Sequence, residues 1–410
     1  MGAQAVQASA RWPAEALLMT NPAMTRIDRF FSCWLTGGLL LYLCGFFLAP
    51  SSKAQYLTLY IGTILPAFYF SIWHFKRYFI ENDKILLGIL IVIIILYIPS
   101  LWAPTEVLDT LRKNLKHIIF VMSLAIAIRH FTLFHPSEVS RIITLLLLSS
   151  IIALGLFYFV LIQRGLMTEG NTGYGTLGDN PNETGLALSV GLILLAKSFM
   201  DRPKLAAALL AVPFLAAIYL ANSRSAMLGL AIALPLLVLL ERERLRLAMV
   251  YIIISAIAAA FLVFLMATDF LNAEQLLSKR PSLWGEFLSH YPDHSWLWGS
   301  GLSGSITVFS EIQQVKLEPH SLYFSLLLRG GLLALLAYLS LLLIIFRRNL
   351  VISKNNTIWL CLLIFGLVTQ FFEGVYPLRS PNSFWLYTWL PIFILLIADN
   401  KAAERPNAHK

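Results

Sequence analysis

The stretch from Asp269 to Ser321 reads DFLNAEQLLSKRPSLWGEFLSHYPDHSWLWGSGLSGSITVFSEIQQVKLEPHS. It gathers Arg280, Trp284, Trp296, Trp298, Gly299, Gly301 and His320 between two apolar runs, 247–267 and 322–346, whose single charged residue is Arg329. Runs that apolar cannot host polar chemistry. A loop over 268–321 is therefore expected, and any reaction is expected on this loop and the helix ends around it.

The flanking runs set the class. Hydrophobic residues make up 58% of the 410 and charged ones 13%, whereas about a quarter of a soluble domain is charged. A helix needs about twenty predominantly apolar residues to cross a bilayer. Such runs recur, and the chain reads as an all-α integral membrane protein with about twelve transmembrane helices. The first six cover 31–50, 55–75, 85–102, 115–128, 142–162 and 184–196; the last six cover 205–221, 226–240, 247–267, 322–346, 357–372 and 384–398. No internal repeat or low-complexity tract divides them, so residues 1–410 read as one polytopic membrane domain.

Cations in short loops are retained in the cytoplasm, which orients the helices. With the N-terminus inside, alternate loops collect Lys76, Arg77 and Lys84, then Arg129 and Arg141, then Lys197, Arg202 and Lys204, then Arg242, Arg244 and Arg246, then Arg347, Arg348 and Lys354. Both termini are then expected in the cytoplasm, and the long loop faces outward. The run starting at Phe31 lacks an A-x-A cleavage site and is too long for a signal peptide, so it reads as a retained helix. Cys33, Cys44 and Cys361 all lie in expected spans and imply no disulfide framework. The net charge of +9 is mostly this inside bias and does not point to nucleic acid.

Outward loops hold the candidates for chemistry. Residues 163–183 carry five glycines and the turn Asp179-Asn180-Pro181-Asn182, which suits either close backbone approach to a ligand or a mobile loop. No P-loop pattern is present. In Asn222-Ser223-Arg224-Ser225-Ala226, serines at a helix start can cap free amides, and those amides with Arg224 make an anion site; a lipid-anchoring arginine is the alternative. Arg280, Arg329 and Arg379 add guanidinium groups suited to phosphate or pyrophosphate. His320, in Glu318-Pro319-His320-Ser321, precedes Arg329, Gly330 and Gly331 on what reads as the same span. With an ordinary pKa it is largely neutral at pH 7, as a general base requires, although interfacial histidines are also often structural. Asp179, Glu183, Glu286, Asp293 and Glu373 are other outward candidates for a base. No D-x-D pair or ligand-spaced His/Asp cluster suggests a metal.

The order Ser223-Arg224-Ser225-Ala226, Arg280-x-x-x-Trp284, Trp296-x-Trp298-Gly299-x-Gly301, His320-Ser321 and Gly330-Gly331 resembles the O-antigen ligase family, across nearly the whole chain. That family shares a superfamily with O-antigen polymerases and bacterial O-oligosaccharyltransferases. The resemblance implies a helical membrane fold related to the GT-C glycosyltransferases, in the inner membrane of a Gram-negative cell. The implied reaction transfers O-antigen from undecaprenyl pyrophosphate to lipid A-core oligosaccharide on the periplasmic face, inverting the anomeric centre without a metal or other cofactor. Membrane lipids are the remaining implied partner. Arg224 and Arg280 match the family's essential arginines and His320 its essential histidine. The family often has an acidic residue before the paired glycines, where Arg329 stands here.

A pyrophosphate-linked donor is already activated, so no nucleotide site is required. Arginines at helix ends would stabilise charge growing on the leaving pyrophosphate, while His320 takes the proton of the attacking sugar hydroxyl. Ser223, Ser225, Arg329 and Arg379 complete the expected substrate-binding set, with Trp284, Trp296 and Trp298 either stacking on sugars or anchoring at the interface. Polymerase and protein O-glycosylation readings share this donor. A transporter would concentrate ionisable groups at the bilayer midplane, which these spans do not do.

Overall fold

Thr25 and Asp28 start the first helix with a reciprocal capping box: the Thr25 hydroxyl accepts from the Asp28 amide at 3.1 Å, and the Asp28 carboxylate accepts from the Thr25 amide at 2.9 Å. A computed structural model describes residues 25–80, 85–102, 107–135, 138–163, 180–201, 205–241, 280–289, 296–299, 308–310, 315–349, 356–374 and 380–397. In chain order its larger helices are α1 Arg26–Leu48, α2 Ser52–Trp73, α3 Ile85–Tyr97, α4 Val107–Phe134, α5 Val139–Gln163, α6 Pro181–Asp201, α7 Leu205–Leu220, α8 Arg224–Leu240, α9 Arg280–Ser289, α10 Leu322–Arg348, α11 Thr357–Thr369 and α12 Trp385–Ile397. Among the described residues one antiparallel ribbon interrupts the helices, with β1 Val308–Ser310 paired to β2 Val315–Leu317.

Six of the helices are long and apolar enough to cross a membrane, from α1, α2, α4, α5, α6 and α10, and five shorter apolar helices accompany them. These eleven coincide with eleven of the expected runs. The run 247–267 lies outside the described residues.

Every residue of α12 is buried, as is most of α11, so the two occupy the centre. α7 instead exposes Leu205, Leu209, Val212 and Tyr219 and forms part of the periphery. Glycines bring the inner helices together. A methyl group on Gly229 of α8 would lie 2.7 Å from Phe365 and Thr369 of α11, and one on Gly185 of α6 would lie 2.4 Å from the Ser223 β-carbon. The starts of α6 and α8 and the end of α11 thus meet at one end of the protein.

The expectation of an unbroken span over 322–346 is corrected. Gly331 has φ +66° and ψ −170°, a backbone state essentially reserved for glycine, and it divides α10 into residues 322–330 and 332–348. A straight helix would separate Tyr323 and Tyr338 by about 22 Å along its axis. Their ring centroids lie 6.4 Å apart. Gln370, just past α11, holds both halves: its carbonyl accepts from the Leu322 amide at 2.9 Å and its side chain accepts from the Tyr338 hydroxyl at 2.8 Å. The first half therefore folds back over the second.

Polar groups are not confined to the loop end. Asp28 accepts hydrogen bonds from Tyr69 and His74, His130 contacts Ser32 and Tyr78, and Lys197 pairs with Asp201 and Glu241. These networks satisfy polar side chains placed between helices, as burial demands.

Candidate functional site

Ser223 is the residue before α8, yet its hydroxyl does not cap the helix. It lies 3.5 Å from the Ser225 hydroxyl instead, and both serines are buried. Asn222, with φ +52°, makes the sharp entry that asparagine tolerates better than most residues. Arg224 is the first helical residue and is exposed. The expected cap is thus absent, while the expected clustering of Ser223, Arg224 and Ser225 at a helix start is present.

Glu373 joins this helix start to the loop. Its Oε1 accepts from Arg280 Nη2 at 2.7 Å and from Ser225 Oγ at 3.4 Å. The Arg280 guanidinium also lies over the Phe372 ring, 5.8 Å from its centroid. Two consecutive residues past the end of α11 therefore seat the first residue of α9. Burial, assisted by Glu183, pushes the Glu373 carboxyl above the usual range, against the opposing pull of Arg280 and Ser225.

His320 stands at the same end, two residues before α10, with φ +46°. A left-handed histidine is uncommon, and its neighbours hold it there. Trp284 Nε1 donates to the Pro319 carbonyl at 2.9 Å and its ring stacks on Phe324. Arg329 reaches back from the first half of α10, donating to Ser325 Oγ at 3.2 Å and to Glu318 Oε1 at 3.3 Å. His320 itself is only partly buried. Burial lowers its pKa and the Arg280 charge lowers it further, with Glu318 opposing, so the imidazole is neutral at pH 7.

Arg329, through Glu318, and Trp284, through Pro319, thus both brace the segment that carries His320. Arg329, expected to bind substrate, is 0% exposed. Trp296 and Trp298 are 52% and 43% exposed. Their segment serves the break in α10: the freed amides of Leu332 and Leu333 donate to the carbonyls of Trp296 and Leu297 at 2.8 and 3.2 Å. Gly299, with φ +68°, and Gly331 are required there, because a β-carbon on either would sit 2.3–2.5 Å from the opposing backbone. Of the paired glycines, Gly331 permits the close approach of the loop, whereas Gly330 faces Ala334 and Pro99.

Arg379, Asp179 and Asp293 lie outside the described residues, as does most of the glycine-rich loop. Glu286 is on α9 and Glu183 in the first turn of α6. Among the described residues no three His, Cys, Asp or Glu side chains form a group that could hold a metal ion.

Residues 206–339 match the O-antigen ligase family. The O-antigen ligase segment covers about a third of the chain and contains Arg224, Arg280, Trp284, Trp296, Trp298, His320 and Arg329. Glu373 lies beyond it. No curated protein matches the chain. Over this segment the chain is similar to the O-antigen ligase family, and the similarity agrees with the apolar helices.

Sequence order did not single out Glu373 from four other outward acidic residues. Its position immediately after a short apolar run, between Phe372 and Gly374, was the available signal.

Proposed function

We propose that the protein is an O-antigen ligase, transferring O-antigen glycan from undecaprenyl pyrophosphate to lipid A-core oligosaccharide. The observation that carries this reading is the junction at Glu373, which accepts from Ser225 beside Arg224 and from Arg280. The Trp284 bond to the Pro319 carbonyl ties the His320 segment to α9, the helix of Arg280, and Arg224, Arg280 and His320 all lie inside the matched segment. In this reading the chain is a single polytopic domain of about twelve spans with a GT-C-like arrangement. The loop 268–321 faces the periplasm of a Gram-negative cell, and both termini face the cytoplasm, as the cation distribution requires.

Arg224 and Arg280 bind the pyrophosphate, whose negative charge grows as the glycosidic bond breaks. Ser223 and Ser225 supply hydroxyl donors at the start of α8, and Arg379 remains a further candidate for the same anion. His320, kept neutral by burial and by Arg280, accepts the proton of the attacking sugar hydroxyl. The sugar attacks the anomeric carbon opposite the leaving pyrophosphate, so the centre inverts. The donor brings its own activation, so the proposed reaction is metal-independent and proceeds in excess EDTA.

Gene deletion followed by gel analysis of lipopolysaccharide tests the acceptor. Loss of all attached O-antigen with accumulation of lipid-linked polymer supports the ligase. A single-repeat band identifies a polymerase instead, and intact lipopolysaccharide with unglycosylated protein identifies a protein O-oligosaccharyltransferase.

A further inference from the structure

The Glu373 carboxylate occupies a position that needs explanation, because it places a negative charge inside the cluster proposed to receive an anion. Its Oε1 is the point where two donors from separate elements meet, Arg280 Nη2 at 2.7 Å and Ser225 Oγ at 3.4 Å. Convergent guanidinium and hydroxyl donors on one anionic oxygen are also the arrangement that recognises a phosphate oxygen. Both donors belong to the proposed pyrophosphate site, so this deduction rests on that reading.

We propose that Glu373 is a displaceable counter-anion of Arg280, whose Oε1 stands where an oxygen of a prenyl-linked pyrophosphate binds, and that the ligand drives the carboxylate away. The ion pair keeps the Arg280 charge compensated while the site is unliganded. Arg280 and Glu373 side chains are only 13% and 18% exposed, so an uncompensated guanidinium there would be costly.

The surroundings also ease the departure of the carboxylate. Glu373 lies four residues past Thr369, the last residue of α11, and precedes Gly374, which has φ +93°, so its side chain stands at a chain turn. Glu183 on α6 repels its charge, and burial disfavours the ionised form; among the described residues Arg280 and Ser225 hold that form in place. Tyr387 of α12 lies within electrostatic reach and carries no compensating positive charge. Once Arg280 turns to the ligand, Glu373 can take up a proton from solvent and remain near the site as a neutral acid.

A counter-anion and a fixed orienting carboxylate predict opposite signs. Removing the charge of a competitor tightens binding, whereas removing an orienting group weakens it. A competitor also assists product departure, because the returning carboxylate replaces the outgoing pyrophosphate.

The experiment is equilibrium binding of farnesyl pyrophosphate to the full-length protein in detergent micelles, for wild type, Glu373→Gln, Glu373→Asp and Arg280→Ala. Glu373→Gln is expected to bind on the order of tenfold tighter, the ratio given by about 1.4 kcal/mol of relieved competition. In transfer assays it lowers both the donor KM and kcat, because product leaves more slowly. Glu373→Asp, whose shorter side chain withdraws from Arg280 with its charge retained, is expected between wild type and Gln and provides a second folded variant. Arg280→Ala binds more weakly than wild type. Unchanged or weaker binding in both Glu373 variants, with Arg280→Ala still impaired, overturns the counter-anion and leaves the pyrophosphate site standing. Equal binding by all four proteins overturns the pyrophosphate site itself.

Discussion

Tyr323 and Tyr338 lie fifteen residues apart in a continuous apolar segment, yet their rings pack 6.4 Å apart because the chain reverses at Gly331. The reversal releases the amides of Leu332 and Leu333, which the carbonyls of Trp296 and Leu297 then accept. The long loop is consequently built into the helix that follows it. Its tryptophan segment and the His320 segment are secured by the two faces of one break.

Gly331→Ala should unsettle both segments. Alanine in that backbone state costs about 1–3 kcal/mol before any overlap is counted, and its β-carbon would also meet the Leu297 carbonyl at 2.3 Å. The expected outcome is a lower unfolding temperature and faster proteolysis between residues 290 and 300, measured on purified protein. An unaltered melt and cleavage pattern would show that the loop does not depend on the break.

Arg329→Gln should lower stability without weakening the donor interaction. The guanidinium is fully buried against Ser325 and Glu318, while Glu318 reaches solvent, so about 2 kcal/mol is expected, below the 3–5 kcal/mol for breaking a fully buried pair. Thermal unfolding and farnesyl pyrophosphate binding on the folded fraction separate the two effects. A large loss of affinity with normal stability would return Arg329 to the substrate.

The helices were legible because each expected run is a stretch of apolar side chains bounded by charge, and eleven such runs correspond to helices. The reversal at Gly331 was not, because Leu322 to Phe346 is apolar on both sides of Arg329-Gly330-Gly331 and hydropathy carries no direction. Arg224, Arg280 and His320 could be nominated from motif order. The link of Arg280 and Ser225 through Glu373 joins residues 93 and 148 positions apart, and no local spacing encodes that contact. Trp284 is by sequence a candidate for sugar stacking, and the bond of its indole N–H to the Pro319 carbonyl, 35 residues on, has no local signal.

Arg224→Lys and Arg280→Lys test the guanidinium geometry. Lysine keeps the charge and loses the planar two-pronged fork. Both variants should accumulate in the membrane and lose most transfer activity, and Arg280→Lys should retain stability by keeping a cation beside Glu373. Full activity in both would reduce these arginines to lipid anchors.

The orientation can be checked with single cysteines in a background lacking Cys33, Cys44 and Cys361. Cysteine at exposed Ser289, in α9, should react with a membrane-impermeant thiol reagent in cells with a permeabilised outer membrane. Cysteine at Ser353, in a cation-rich loop, should react only after the inner membrane is opened. The opposite pattern would place the Arg224–Arg280–His320 end on the wrong side for the proposed donor and acceptor.

His320→Asn separates a base from a structural histidine more sharply than alanine does. Asparagine accepts the left-handed backbone at little cost, so φ +46° can be retained while the imidazole is lost. Single-turnover transfer should fall by about 10² to 10⁴, with donor binding and unfolding temperature near wild type. The pH dependence has a definite sign. Burial and Arg280 depress the His320 pKa, so wild-type transfer should hold to lower pH than an ordinary imidazole allows and then decline as the imidazole protonates. The same depression means the unfolded chain binds this proton more readily, so the His320 contribution to stability is full above about pH 6.5 and diminishes as pH falls toward the folded pKa. His320→Asn should lack the acidic limb in its residual activity. Near-normal transfer by His320→Asn, or an acidic limb that persists in it, would transfer the base assignment to Glu286, Asp293 or Glu373.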